Sequence, residues 1–290
     1  MNSTLHITSG DIAGGSLIKA RLSGEVFVWH DVLYDGPRCI GWPDETTFNA
    51  RAAFLEDFTA GGLDRQCVLN TLRLQYRTLA EAVSSKHIVL WFDACLFDQS
   101  MLTHILMCLR HRSAQNVELL CVSEFPGIEP FHGLGQLQPD QLASLYGNRR
   151  PVTADQFDFA VQVDGAFATQ DAGVLSELSQ MTDAPLPWIP AAVVRWLQER
   201  SDSVTGLGRL EEIALTAIQA GNDTPHKIFR SVAANDTPPQ FWGDITLWAK
   251  INALAEREPP LVKIEGPVDR LPQWESAVSL GEFRIHALPI

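Results

Sequence analysis

No stretch of this 290-residue chain stays apolar for the roughly 20 residues that a membrane-spanning helix requires. The longest runs are as short as Ile88 to Phe92. The N-terminus lacks the succession of basic, apolar and small residues that marks a secretory signal, so the expected compartment is the cytoplasm. Cysteine is scarce: five residues (Cys39, Cys67, Cys95, Cys108, Cys121), odd in number and without C-x-x-C spacing, which argues against a disulfide framework or a zinc site. Positive charge is also in deficit, with 22 Lys and Arg against 35 Asp and Glu and a net charge of −13. That balance disfavours a broad phosphate-neutralising surface, and no DNA binding is expected. Neither G-x-G-x-x-G nor the P-loop lysine motif is present, which weakens any dinucleotide or Walker-type reading.

What is present is apolar content of 46%, enough to fill a core and to exclude disorder. Short β-rich runs at Thr4 to Thr8, Glu25 to Trp29, His87 to Phe92 and Asn116 to Val122 alternate with helical patterns. One such pattern, from Asp64 to Ser84, carries Leu69, Leu72, Tyr76, Leu79 and Val83 as a single stripe. The run at His87 to Phe92 has almost no polar break, as expected of a central parallel strand covered on both faces. Right-handed crossovers between such strands predict an α/β fold, an open Rossmann-like parallel sheet, with the loops after Thr8, Trp29, Phe92 and Val122 on one edge. The domain reading is 1–150 for this Rossmann-like part and 151–204 for an acidic helical connector. A winged-helix-like domain, three helices and a two-stranded ribbon, takes 205–290. From Val152 to Ser203 there are two basic and eight acidic residues, and from Thr205 onward eight basic and eleven acidic.

The predicted ligand edge gathers the candidate chemistry. Asp11 and Asp93 are the candidate catalytic residues and, as converging carboxylates, the candidate ligands of Mg²⁺ or Mn²⁺. Ser9 and Gly10, with Ala13-Gly14-Gly15-Ser16 read as a turn before a helix, form a small-residue loop suited to cradling an anion, or simply a tight turn. Asp31, Asp35 and Arg150 complete the candidate ligand-binding set; a guanidinium at Arg149 or Arg150 can hold phosphate or bridge to the acidic middle segment. Asp98, just before a helical pattern, is read as an N-cap. His30 and His132 in edge loops suit acid–base work. Cys95, near a helix N-terminus, is either an activated thiol or, more commonly for cysteine, a small buried hydrophobe. Trp242, Trp248 and Trp274 suit either core packing or contact with a protein partner, including a second copy of the chain.

The segments Leu5-His6-Ile7-Thr8-Ser9-Gly10-Asp11 and Trp29-His30-Asp31-Val32-Leu33-Tyr34-Asp35-Gly36-Pro37, with Arg51-Ala52-Ala53-Phe54-Leu55, Leu90-Trp91-Phe92 and Phe97-Asp98-Gln99, form a recognisable series. So do Gly133-Leu134-Gly135-Gln136-Leu137, Arg150-Pro151-Val152-Thr153, Gly206-Leu207-Gly208-Arg209-Leu210 and Phe241-Trp242-Gly243-Asp244. In these segments the chain resembles a bacterial family of domains of unknown function, the 1835 series, together with its C-terminal companion segment. The resemblance implies no established activity. The chain departs from the family at Asp93-Ala94-Cys95, where a Glu-His-Asp-like triplet is favoured, so chemistry carried by that triplet would be altered or lost here. The functional expectation is binding of, or action on, a phosphate-bearing small molecule or nucleotide at the C-terminal edge of the sheet. The alternative is a non-catalytic regulatory or protein-interaction module.

Overall fold

The computed structural model describes residues 3–59, 61–200, 202–238, 240, 242–272 and 278–289; Phe241 and Trp274 lie outside them. The chain divides into two compact units, residues 1–51 with 69–197, and residues 52–68 with 198–290.

In the first unit, β1 (Ser3–Ser9), β2 (Glu25–Trp29), β3 (Lys86–Asp93) and β4 (Val117–Val122) pair in parallel in the order β2-β1-β3-β4. A two-residue β5 (Arg150–Pro151) adds antiparallel to β4. This is the α/β, Rossmann-like sheet that the sequence predicts, with the carboxyl ends of β1 to β4 on one edge. Because neighbours alternate faces together, His6, Thr8, Val89, Trp91 and Asp93 look to one side and Leu5, Ile7, Ser9, Ile88, Leu90 and Phe92 to the other. On the first side, Val89, Trp91, Leu120 and Val122 pack with Ala13 and Leu17 of α1 (Asp11–Lys19) and Leu142 of α5 (Pro139–Leu145). After α2 (Glu45–Phe58), the second side is covered by α3 (Arg65–Ser85) and α4 (Leu96–His111), the apolar stripe of α3 burying Leu69, Leu72, Tyr76 and Leu79. Leaving every residue of β3 from Ile88 to Asp93 buried is what two-sided cover requires, and explains its unbroken apolar sequence.

Two expectations are corrected. Ala13 to Ser16 is not a turn: α1 begins at Asp11, and Gly14 lies inside it because a Cβ there would overlap Val28 Cγ2 of β2. The glycine serves close helix–strand packing, not a change of direction. Residues 151–197, read as a connector, belong to the first unit. Within them α6 (Ala154–Thr169) lies against α4, burying Phe157, Ala160, Val163 and Phe167; α7 (Ala172–Ser179) then packs on α6, and α8 (Ile189–Glu199) follows. Except for the buried Asp164, the acidic residues of this stretch are on outward positions, such as Asp155, Asp158 and Asp171.

In the second unit, α9 (Arg209–Gln219) packs on α10 (Pro225–Asn235) and α11 (Asp244–Glu256). A two-stranded antiparallel ribbon follows, β6 (Val262–Glu265) and β7 (Arg284–Ala287). Helix α11 is buried at Thr246, Leu247, Trp248, Ile251, Asn252 and Leu254, so it is a core helix of this unit. Asn252 exchanges two hydrogen bonds with the backbone of Leu271, satisfying a buried amide. Among the described residues no helix is long and apolar enough to cross a membrane.

Candidate functional site

At the carboxyl edge of the sheet, β1 passes into α1 through one residue, Gly10 (φ 69°), and no side chain caps the first turn of α1. Its leading N–H groups therefore have no side-chain cap, and they follow the tip of β1, the strand at which the order reverses direction and beside which α/β sheets bind ligands. Asp11 is in this first turn, 70% exposed, and its carboxylate meets His30 Nε2 at 2.9 Å. Asp11 and His30 thus bridge the tips of β1 and β2.

Asp93 is elsewhere and differently engaged. Buried at the tip of β3, it accepts from the backbone N–H of Cys95 (3.0 Å) through one oxygen and of Leu134 (3.2 Å) through the other. Its own N–H donates to Asp98 (2.7 Å), and the second oxygen of Asp98 accepts from the Ser9 hydroxyl. Gln99 Nε2 donates to the Asp93 carbonyl at 2.5 Å. Asp98 is therefore not the N-cap it resembles: α4 has no side-chain cap, and the carboxyl instead clasps the ends of β1 and β3 to the helix. Burial pushes Asp98 well above the usual carboxylate range, and the charge of Asp93 adds to the effect; burial also raises Asp93. The pair holds on to a proton because two ionised carboxylates this close and this dry repel strongly. Cys95 completes the cluster. Burial, Asp93 and Asp98 all push its thiol well above its ordinary value, which removes the activated-thiol reading.

Asp11 and Asp93 are consequently not joined in one ligand set; the cluster around Asp93 is Asp93, Cys95 and Asp98. Those donors do not fit Mg²⁺ or Mn²⁺. Every carboxylate oxygen already accepts a hydrogen bond, the third group is a soft thiol, and all three residues are buried, whereas Mg²⁺ usually keeps several of its waters.

The remaining candidates are placed as follows. Asp31 is buried and paired with Arg51, and it also accepts from the Val32 N–H (2.7 Å). Asp35 accepts from the Gly36 N–H (2.7 Å), and its carbonyl, with those of Val32 and Pro37, is taken by Arg51. Both aspartates build the loop after β2. Arg150 is exposed and corrects the expectation: its partner in β4 is Leu119 in the first half of that strand, so it lies away from the carboxyl edge. Arg149 pairs with Glu118 (2.7 Å) and stacks on Tyr146.

A second polar group was not anticipated. Tyr76 Oη meets His104 Nε2 at 2.6 Å, His104 Nδ1 meets Asp164 at 2.9 Å, and Arg38 pairs with the same Asp164 and donates to the Leu33 carbonyl (2.7 Å). Burial pushes Asp164 up, but His104 and Arg38 together outweigh it and hold the carboxyl below its ordinary value. Burial, with Cys108 and Asp31 nearby, raises Tyr76 well above the usual phenol range. One signal was available in the sequence. Asp164 falls on the apolar stripe of α6, between Ala160 and Phe167, and a carboxylate there needs a buried partner. The partner's identity was not encoded locally, since Arg38 and His104 come from other elements.

No family model matches this chain, and no curated protein does.

Proposed function

We propose that the first unit binds a small phosphate-bearing molecule over the N-terminus of α1, in the crevice between the tips of β1 and β3, without a divalent metal. The observation that carries this is the uncapped first turn of α1, one residue after β1, at the point where strand order reverses. No atom lies within 4 Å of where a Cβ on Gly10 would stand, so the backbone is open to close approach. Asp93 and Asp98 shape this crevice and do not act on the ligand. Their buried, fully hydrogen-bonded arrangement favours a sensing or binding module over a catalytic one. On the motifs set out above, we also propose membership of the 1835 series and a winged-helix-like second unit.

The test is binding of inorganic phosphate and of mononucleotides to the full chain, read by thermal shift, with and without Mg²⁺ or Mn²⁺. A bound ligand raises the melting temperature by mass action, and the expected rise is independent of metal. Ile12, 66% exposed in the first turn, supplies the discriminating variant. Ile12→Glu complements the helix dipole, so it preserves folding, yet it repels an anion and should weaken binding about tenfold or more. Asp11→Asn, which removes a negative charge from the same turn, should strengthen binding and leave the melting temperature of the free protein nearly unchanged. Loss of binding in Asp11→Asn would instead restore a direct role for that carboxylate.

For the second unit we propose protein contact and no DNA contact. In a winged helix the third helix would meet DNA; the basic residue of α11 and the one just after it are both engaged, Lys250 with Glu211 (3.8 Å) and Arg257 with the Gly206 carbonyl (2.8 Å). The exposed positions of α11 are Asp244, Ala253 and Glu256. Random duplex DNA is expected to show no micromolar binding at about 150 mM salt, because phosphate contacts dominate such affinity; a gel-shift titration checks this.

A further inference from the structure

The two edges of the five-stranded sheet are built differently. At one edge β5 offers only Arg150 and Pro151, both exposed. A short strand with a charge, and a proline that cannot donate, is what keeps a sheet edge from pairing with another chain. At the other edge β2 offers Glu25-Val26-Phe27-Val28-Trp29, without proline or lysine, and among the described residues no strand pairs with its outer side. Val26, Phe27 and Val28 are half-buried, whereas Leu5 to Ser9 of β1 and Ile88 to Asp93 of β3 are buried.

The helix beside this open edge leaves an apolar side chain uncovered. Gly14 stands against Val28, and Asp11, on the same stripe of α1, reaches His30 just past β2. Ile18 is one turn beyond Gly14 on that stripe, so it lies along the flank of β2, and it is 62% exposed. The register of His6 with Val26 and of Thr8 with Val28 puts both valines on the α1 side of the sheet. Phe27, beside Ile7, is on the other side.

The strand's own symmetry selects the occupant. Val26-Phe27-Val28 reads the same in both directions. An antiparallel copy of β2, related by a two-fold axis at Phe27 and perpendicular to the sheet, sets Phe27 against Phe27 and each Val26 against the other copy's Val28. The same axis keeps both α1 helices on one face, so each copy brings its Ile18 to that side of the seam. Charge does not oppose the pairing, because Glu25, the one charged residue of β2, is matched by Lys86 at 2.9 Å.

We propose that β2 is a dimerisation edge: two copies of this chain pair β2 to β2 antiparallel, joining their five-stranded sheets into one and covering Ile18, Val26, Phe27 and Val28. The seam uses neither Gly10 nor the leading N–H groups of α1, so it stands apart from the phosphate crevice.

Sedimentation of the full-length protein over a concentration series tests this. The parent is expected to pass from monomer to dimer as its concentration rises. Ile18→Lys puts a cation at an exposed position in the last turn of α1, where the helix dipole favours it, so the melting temperature of the dilute protein should not fall. Two such charges flank the seam, and dimerisation should weaken about tenfold or more. Phe27→Cys, in a Cys67→Ser background that removes the exposed native thiol, tests the register. A short bifunctional thiol reagent should couple two chains through residue 27, and adding Ile18→Lys should abolish the coupling; loss of the dimer in Phe27→Cys itself would support the seam equally. A monomer at every concentration, a parent dimer that Ile18→Lys leaves unchanged, or a Phe27→Cys dimer that is not coupled through residue 27 each overturns the proposal.

Discussion

Arg51→Met is expected to destabilise the first unit by about 3–5 kcal/mol, the range for removing one partner from a buried ion pair. The arginine side chain is 3% exposed and Asp31 is 1% exposed, so the carboxylate would be left without its countercharge and without water. The guanidinium also donates to the carbonyls of Val32, Asp35 and Pro37, which hold the loop after β2 in its turn. Urea unfolding followed by tryptophan fluorescence measures the loss as a lower midpoint at unchanged slope. The double variant Asp31→Leu/Arg51→Met separates the two contributions. It removes both charges, so it should recover part of the loss, while the three carbonyls remain without their donor and keep the remainder. Complete recovery would mean that the carbonyl contacts contribute nothing. No loss in the single variant would mean that the pair is solvated in solution.

Asp98→Asn is expected to make the protein more stable than its parent at neutral pH, an unusual direction for a buried polar residue. The sign follows from linkage. Asp98 has a folded-state pKa raised well above its unfolded value, first by burial and then by Asp93. A group raised in this way leaves stability intact below the unfolded carboxylate pKa, near 3.9, and lowers it progressively as pH rises from there to the folded value. The slope cannot exceed about 1.4 kcal/mol per pH unit for one proton. Asparagine is the uncharged isostere: its oxygen can accept from the Asp93 N–H while its NH₂ donates to the Ser9 hydroxyl oxygen, which turns from donor to acceptor. The difference in stability between variant and parent should therefore be smallest near pH 4 and grow toward neutrality, which thermal unfolding across that range reads directly. Asp93→Asn gives the contrast. Replacing one acceptor oxygen by a donor removes a partner from either the Cys95 or the Leu134 N–H, costing about 1–3 kcal/mol, a loss that relief of the repulsion with Asp98 offsets toward neutrality. A pH-independent difference for Asp98→Asn would show that the carboxyl pair does not retain its proton.

Periodicity and turn chemistry alone determined the parallel sheet, its edge of strand ends and the succession of helices, because burial on one or both faces writes itself into local sequence. The apolar run of β3 and the stripe of α3 are legible without any partner. Gly14 was misread for a physical reason. Glycine serves turns and close packing equally, and the strand residue that demands its bareness, Val28, is fourteen positions away. The roles of the acidic residues were likewise undecidable in one dimension. Asp11, Asp31, Asp93 and Asp98 all stand at or after strand ends, yet one pairs in solvent with His30, one is neutralised by Arg51, and two lie buried together beside Cys95. Arg150 was drawn to the wrong edge because a strand of two residues has no period to read, and only its antiparallel register against Leu119 places it. A side chain's chemistry is set by whichever charge or donor the fold brings to it, and some of those neighbours, such as Arg51 for Asp31 and Arg38 for Asp164, lie 20 to 126 residues away along the chain.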